Sequence, residues 1–193
     1  VDLTYTATNG CGSNSSTYTI NIIPAPTVNA GSDATICFGG TATLTASTNN
    51  LTSYSWSTGD NTASITISPS TTSTYTFTGT GSNGCSNSDD AQVIVNPLPL
   101  ATISTIGSTT VCDGGSMTLL APSGVGYSYQ WNQGGTAIVG ATSSTLLVTA
   151  SGSYTVTVTD GNGCVNTTSS PTVVTVIPPV VVSVNSETIC DGD

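Results

Sequence analysis

The sequence contains no Lys, no Arg and no His, so its ten Asp and Glu residues leave a formal net charge of −10 over 193 residues. Each absence removes a class of function. Nucleic-acid affinity comes mainly from Lys and Arg displacing counterions from phosphates, so a nucleic-acid partner is excluded. A basic helix lying on a membrane surface is excluded for the same reason. Without His or Lys, the usual general bases and amine nucleophiles are missing. Phosphate clamps lose their cations, no Lys can form an intramolecular isopeptide bond, and a trypsin-type protease has no site to cut. Helix-forming runs of Ala, Leu, Glu and Lys are lacking too, and no window holds a helical period for longer than one turn. The longest apolar stretch, Val173 to Val184, is broken by Thr175, Pro178, Pro179 and Ser183, so no membrane insertion is expected. No leader segment is recognisable, because Val1 starts inside what reads as a strand.

What is present is a neutral, hydroxyl-rich, β-prone chain, with 38 Thr, 28 Ser and 21 Gly. Such a composition without order would be a disordered polymer, but disordered chains lack regular apolar alternation. Here the alternation recurs. Ala42, Leu44 and Ala46 share one face of a strand, and Met117, Leu119 and Ala121 are their counterparts further along the chain. Tyr54 and Trp56 match Tyr129 and Trp131, Ile65 and Ile67 match Leu146 and Val148, Tyr75 and Phe77 match Tyr154 and Val156, and Val93 and Val95 match Val174 and Val176. The positions between are mostly Thr, Ser or Asn, so one face of each strand is wet.

Those matches are part of a tandem array with a period of roughly 75–80 residues. Cys37, Cys112 and Cys190 keep that period, standing in T-I-C-F-G-G, T-V-C-D-G-G and T-I-C-D-G-D. A second series in N-G-C keeps it as well, at Cys11, Cys85 and Cys164. Trp56 and Trp131 follow the first Cys of their repeats, Cys37 and Cys112, at the same offset. Prolines 24, 97 and 178 punctuate the boundaries. The expected organisation is therefore a tail holding the last two strands of one repeat (1–23), two whole repeats (24–97 and 98–178), and the first strand of another (179–193). That phase implies a longer natural protein. Asn83-Gly84 and Asn162-Gly163 fall where a hairpin joins the last two strands, and Ser151-Gly152-Ser153-Tyr154 sits where a tyrosine corner would be. Six or seven short strands in each repeat make a small β-sandwich. The fold class is all-β.

The run P-T-V-N-A-G-S-D-A-T-I-C-F-G-G-T-A-T-L-T-A, followed by Y-S-W-S-T-G, S-I-T-I-S-P, S-T-Y-T-F-T and S-N-G-C, resembles the Ig-like/PKD-like repeats of giant surface proteins of Bacteroidota. Gliding-motility adhesins exported by the type IX system are the best-known carriers. The resemblance covers essentially the whole chain and implies tandem Ig-like β-sandwiches, export by that route, and an extracellular place on the cell surface. The sorting signal of that family is not found in these residues. Fold alone does not settle function.

Six cysteines without metal-type spacing point to an oxidising compartment. Two pairings stay open. In the intradomain one, Cys37 bonds Cys85 and Cys112 bonds Cys164. In the interdomain one, favoured slightly, Cys37 bonds Cys164, with Cys11, Cys85, Cys112 and Cys190 pairing outside this chain or with neighbouring chains. Topology supplies the preference: the first turn and the last hairpin of an immunoglobulin-type sandwich lie at opposite ends, roughly 20 Å apart for strands of about seven residues. Bonded cysteines need Cα atoms about 4.4–6.8 Å apart. Free reactive thiols are not expected.

Other candidates fare worse. Asp89-Asp90 is read as a solvated turn before the last strand, Asp160-Gly161-Asn162-Gly163 as turn chemistry without the ligands of a Ca²⁺ loop, and Asp113-Gly114-Gly115 likewise as a turn. Trp56 and Trp131 are read as core with Leu44, Tyr75, Leu119 and Tyr154. Asn14, Asn50 and Asn166 sit in N-x-S/T sequons. No catalytic residue, cofactor or metal is expected. The resulting functional expectation is a non-catalytic stalk or filament shaft of a large secreted adhesin, made of serial disulfide-stabilised domains. Its partners would be neighbouring repeats and other copies in a filament. The alternative is a carbohydrate- or partner-binding module that meets glycans or cell surfaces, pointed to by an insertion from Asn132 to Thr142 that the first repeat lacks.

Overall fold

The computed structural model describes residues 1–168 and 170–183; Cys190 and most of the expected following strand lie outside the described residues. Every regular element among the described residues is a β-strand, as the Thr/Val/Ile-rich alternation and the lack of helix formers require. The chain divides into two compact units, Val1–Asn96 and Pro97–Asp193.

The first unit opens with a hairpin of β1 (Asp2–Asn9) and β2 (Gly12–Thr19), antiparallel with Leu3 opposite Tyr18, whose residues are all exposed. Its domain then uses β3 (Ala34–Cys37), β4 (Ala42–Thr45), β5 (Leu51–Trp56), β6 (Ser64–Ile67), β7 (Ser73–Gly81) and β8 (Ser86–Asn96). One sheet runs β3-β8-β7-β5 and the other is the pair β4-β6. The core lies between them: Leu44 and Ile65 come from one sheet, and Trp56, Phe77 and Val93 from the other. Tyr75 is half-buried against this core. Trp56 and Phe77 pack ring to ring at 5.0 Å between centroids, with planes inclined by 56°, in the range aromatic pairs prefer.

The second unit repeats the plan with β9 (Ser104–Ile106), β10 (Thr110–Cys112), β11 (Met117–Leu120), β12 (Ser128–Gln133), β13 (Thr136–Ala137), β14 (Thr145–Val148), β15 (Gly152–Thr159), β16 (Val165–Thr167) and β17 (Thr172–Ile177). One sheet runs β10-β17-β15-β12-β13, with β16 also on β15; the other runs β9-β11-β14. Leu119, Trp131, Val156 and Val158 are fully buried between them. Tyr154 is buried and donates its hydroxyl to Ala150 O at 2.9 Å, the tyrosine-corner bond. In the first domain the corresponding carbonyl, of Thr71, accepts instead from Ser73 Oγ.

The two cores conserve volume by exchange. Tyr54 lies opposite Gly79 and Tyr129 opposite Val158. A Cβ on Gly79 would stand 2.6 Å from Leu51 Cδ1, so the glycine makes room for the leucine. In the second domain the position of Leu51 is Gly126, and Val158 fills the space from the other side. The insertion of the second repeat is absorbed as structure: Gly134 and Gly135, both at positive φ, form the two-residue turn between β12 and β13 that the hairpin twist favours. Ile138 then packs on the core.

Gly79→Val is expected to overpack the first domain and to cost about 1–3 kcal/mol in urea unfolding. Adding Leu51→Ala restores part of the loss, so the double-mutant cycle is non-additive. Burial holds the Tyr154 hydroxyl above its ordinary pKa. The neutral form is thus favoured in the folded state, and the stability it contributes, complete below about pH 10, is lost as pH rises through the folded value. Tyr154→Phe flattens that alkaline fall for the second domain.

Candidate functional site

Each domain carries one cysteine at either end. Cys37 closes β3, and β3 runs parallel to the last strand with Ala34 opposite Val93 and Cys37 opposite Asn96. Cys85 immediately precedes that same strand, β8, whose 11 residues span roughly 36 Å at strand rise. The second domain repeats this: Cys112 lies beside Ile177 at the end of the parallel β10–β17 pair, and Cys164 stands in the turn before β16. An intradomain bond is therefore out of reach, and by a wider margin than strands of ordinary length would leave, because β8 is longer than they are. In agreement, the thiols of Cys85 and Cys112 are free, as is that of Cys11. No cysteine of the same domain comes near enough to bond Cys85 or Cys112, whose expected partners are cysteines of other repeats or chains. Cys37 and Cys164 are disulfide-bonded.

The turns holding these cysteines explain their motifs. In C-F-G-G, Gly40 N donates to Cys37 O at 2.8 Å, and Gly39 stands at φ 84°, which a side chain rarely adopts. C-D-G-G does the same with Gly115 N on Cys112 O and Gly114 at φ 76°. In N-G-C, an Asx side chain accepts from the cysteine amide: Asn9 Oδ1 from Cys11, Asn83 Oδ1 from Cys85, and Asp160 Oδ1 from Cys164 at 2.8 Å. Asp160 to Gly163 is thereby spent on turn geometry. No group of three or more acidic or cysteine side chains that could hold a metal occurs among the described residues.

Trp56 and Trp131 lie in the cores, their indole N–H groups donating to Thr62 O and Ser143 O. Asp89-Asp90 is not a turn before the last strand; both residues lie inside β8. There the side chains do something that sequence reasoning missed. Asp89 Oδ2 accepts from Ala30 N at 2.9 Å, Asn87 Nδ2 donates to Pro26 O at 3.1 Å, and Asp33 Oδ1 accepts from Gln92 N at 2.8 Å. In the second domain Asn166 Nδ2 donates to Pro99 O at 2.8 Å, in the position of Asn87. The signal was available, since both repeats place Asn two positions after the N-G-C cysteine. The nitrogen that a glycan on Asn166 would occupy is thus engaged, whereas Asn14 and Asn50 are exposed. Asn50 also stands at φ 62°, in a groove of about 480 Å³ that it lines with Pro24, Pro26, Asn29, Asn49 and Asn83.

The arrangement defines tandem Ig-like β-sandwiches in which an early strand, β3 or β10, runs parallel to the last. Residues 99–178, the second domain, match the family model described as Ig-like domain CHU_C associated. Among solved structures, the chain is similar to the N-terminal eight Ig domains of Down Syndrome Cell Adhesion Molecule, with TM-score 0.51, 18% identity, and coverage of 91% of this chain and 27% of that one. It is also similar to an I-band fragment of titin (TM-score 0.44, 16% identity, coverage 82% and 68%) and to Sidekick-1 immunoglobulin domains 1–4 (0.40, 17%, 89% and 56%). At 18% identity the first likeness is one of fold, and the chain spans about a quarter of that structure's length. No curated protein matches the chain.

Under nonreducing conditions, maleimide labels Cys11 and Cys112, which are exposed, faster than half-buried Cys85, and leaves Cys37 and Cys164 unlabelled. Peptide-level mass spectrometry reads the order directly.

Proposed function

We propose that this chain is a length of non-catalytic, load-bearing shaft from a secreted surface adhesin. The carrying observation is the parallel pairing of an early strand with the last in both domains, β3 with β8 and β10 with β17. The chain comes into β3 at its N-terminal end and leaves β8 at its C-terminal end. With the Cys37–Cys164 bond reduced, pulling the ends apart drags the two strands in opposite directions along their common axis. All hydrogen bonds of the pair are then loaded together instead of one by one. β10 and β17 are paired the same way, with β9 ahead of them on the other sheet. A shaft has no need of the missing bases and cations, and a chain without Lys or Arg resists trypsin-type proteases outside a cell. The resemblance to Bacteroidota repeats supports cell-surface display, with type IX export and gliding motility as its more specific forms. No helix among the described residues is long and apolar enough to cross a membrane.

In this reading neighbouring domains are laced covalently, Cys37 to Cys164. The opposite-end placement of the two cysteines in each domain supports it, as do the free thiols of Cys85 and Cys112, which leave the intradomain pairs unmade. Cys11, Cys85, Cys112 and Cys190 then serve junctions with other repeats. Prolines 97, 99, 178 and 179 restrict bending between domains through their fixed φ.

A second reading, a carbohydrate-binding module, has one observation in its favour: the neutral, asparagine-lined groove around Asn49 and Asn50, whose amides suit hydroxyl groups. The insertion of the second repeat contributes less to it, being taken up as β13.

Nonreducing digestion of the chain with pepsin and chymotrypsin, followed by mass spectrometry, yields one peptide pair joining Cys37 to Cys164 if the lacing holds. Cys37 joined to Cys85 would mean separate beads and contradict it. Glycan-array binding that Asn49→Ala with Asn50→Ala abolishes would favour the module over the shaft.

A further inference from the structure

The backbone ladder between β3 and β8 covers four residues, Ala34 to Cys37. The segment before it, 26–33, follows β8 in the same direction without forming a ladder on it. Its contacts advance in step along the strand: Pro26 O meets Asn87, Ala30 N meets Asp89, Asp33 meets Gln92 N, and Ala34 then starts the ladder opposite Val93. Three of these four contacts use a side chain where a backbone group would serve in a regular sheet. Pro26 has no N–H to give, so the segment cannot simply extend the ladder. The second domain starts differently: its lead-in includes β9, which pairs with β11 in the other sheet, and meets β17 only where Thr175 N donates to Thr109 O just before β10.

We infer that Asn87, Asp89 and Asp33 are positioning residues that lengthen the load-bearing contact of the first domain. They bind the lead-in segment to the last strand so that, once the Cys37–Cys164 bond is reduced, a pull on the chain is shared over residues 26–37 of the first domain and not over the four ladder residues alone. This inference rests on the shaft reading and deepens it. Because the segment already lies along the axis of pull, these bonds are sheared with the ladder and do not peel ahead of it. A carboxylate accepting a backbone N–H makes a stronger bond than a neutral pair does, which places the firmest of the added contacts at Asp89 and Asp33.

The test is force-clamp spectroscopy on the whole chain held by its termini, its Cys37–Cys164 bond reduced so that the load passes through the domains, with the second domain as internal reference. Asn87→Ala combined with Asp89→Ala raises the unfolding rate of the first domain under load by about tenfold or more, while its unfolding rate without load, measured in denaturant, changes by no more than about threefold. Asp89→Asn, which keeps an acceptor oxygen, restores much of the loss. Moving the N-terminal handle to Thr35, past the latching contacts, removes the difference between variant and parent. Equal rate increases with and without load, or an effect that persists with the handle at Thr35, would overturn the inference and make these contacts merely stabilising. A parent chain that yields as readily end to end as when Thr35 and Ile94 are pulled apart would overturn the shaft reading itself.

Discussion

The parallel pairing of β3 with β8, and of β10 with β17, is the constraint on which the rest of each domain depends. It joins the two ends of the domain's chain and closes the sheet across its longest sequence separation. It also places the turn after the first strand and the last hairpin at opposite ends. From this follows the bipolar placement of the cysteines, one per end. That placement makes an intradomain bond unattainable across β8 and leaves Cys85 and Cys112 without a partner of their own domain.

Around that constraint the two repeats vary freely where packing permits. Leu51 against Gly79 in one domain becomes Gly126 against Val158 in the other, a transfer of volume from one strand to its neighbour that leaves the sandwich filled. The exposed faces are held by paired hydroxyls, such as Thr43 with Thr66 and Thr157 with Thr167, in place of ion pairs that a chain without cations could not make. Serial domains of this kind need no ion pairs to fold, and their surfaces stay hydroxyl-rich and wet.

Much of this is legible in the order of the amino acids. Period-2 alternation identifies the strands and their buried faces, from Ala42 and Leu44 to Val174, because a two-sided sandwich imposes that period directly. The Gly-Gly after each first-series cysteine marks a turn that needs positive φ. Asp89-Asp90 reads wrongly as a turn, since two adjacent acids look like solvated punctuation. In the structure one of them is committed to Ala30 N, a contact between residues 59 apart that no local pattern signals. The long reach of β8 is hidden as well, because its first half, Ser86 to Asp90, is polar throughout and reads as loop. The side chains of Asn87 and Asn166 are visible as a repeated letter, but their partner, a proline carbonyl far upstream, is not.

If the chain is a shaft, the direction of pull, and not the stability of the fold alone, decides how each domain resists. With the Cys37–Cys164 bond reduced, the most direct measurement compares two loadings of the same first domain, one through the chain termini and one through handles on Thr35 and Ile94, which face each other across the parallel pair. End-to-end loading, which shears the pair, is predicted to require several-fold more force than cross-strand loading, which opens it bond by bond. Equal forces in the two directions would contradict the shaft.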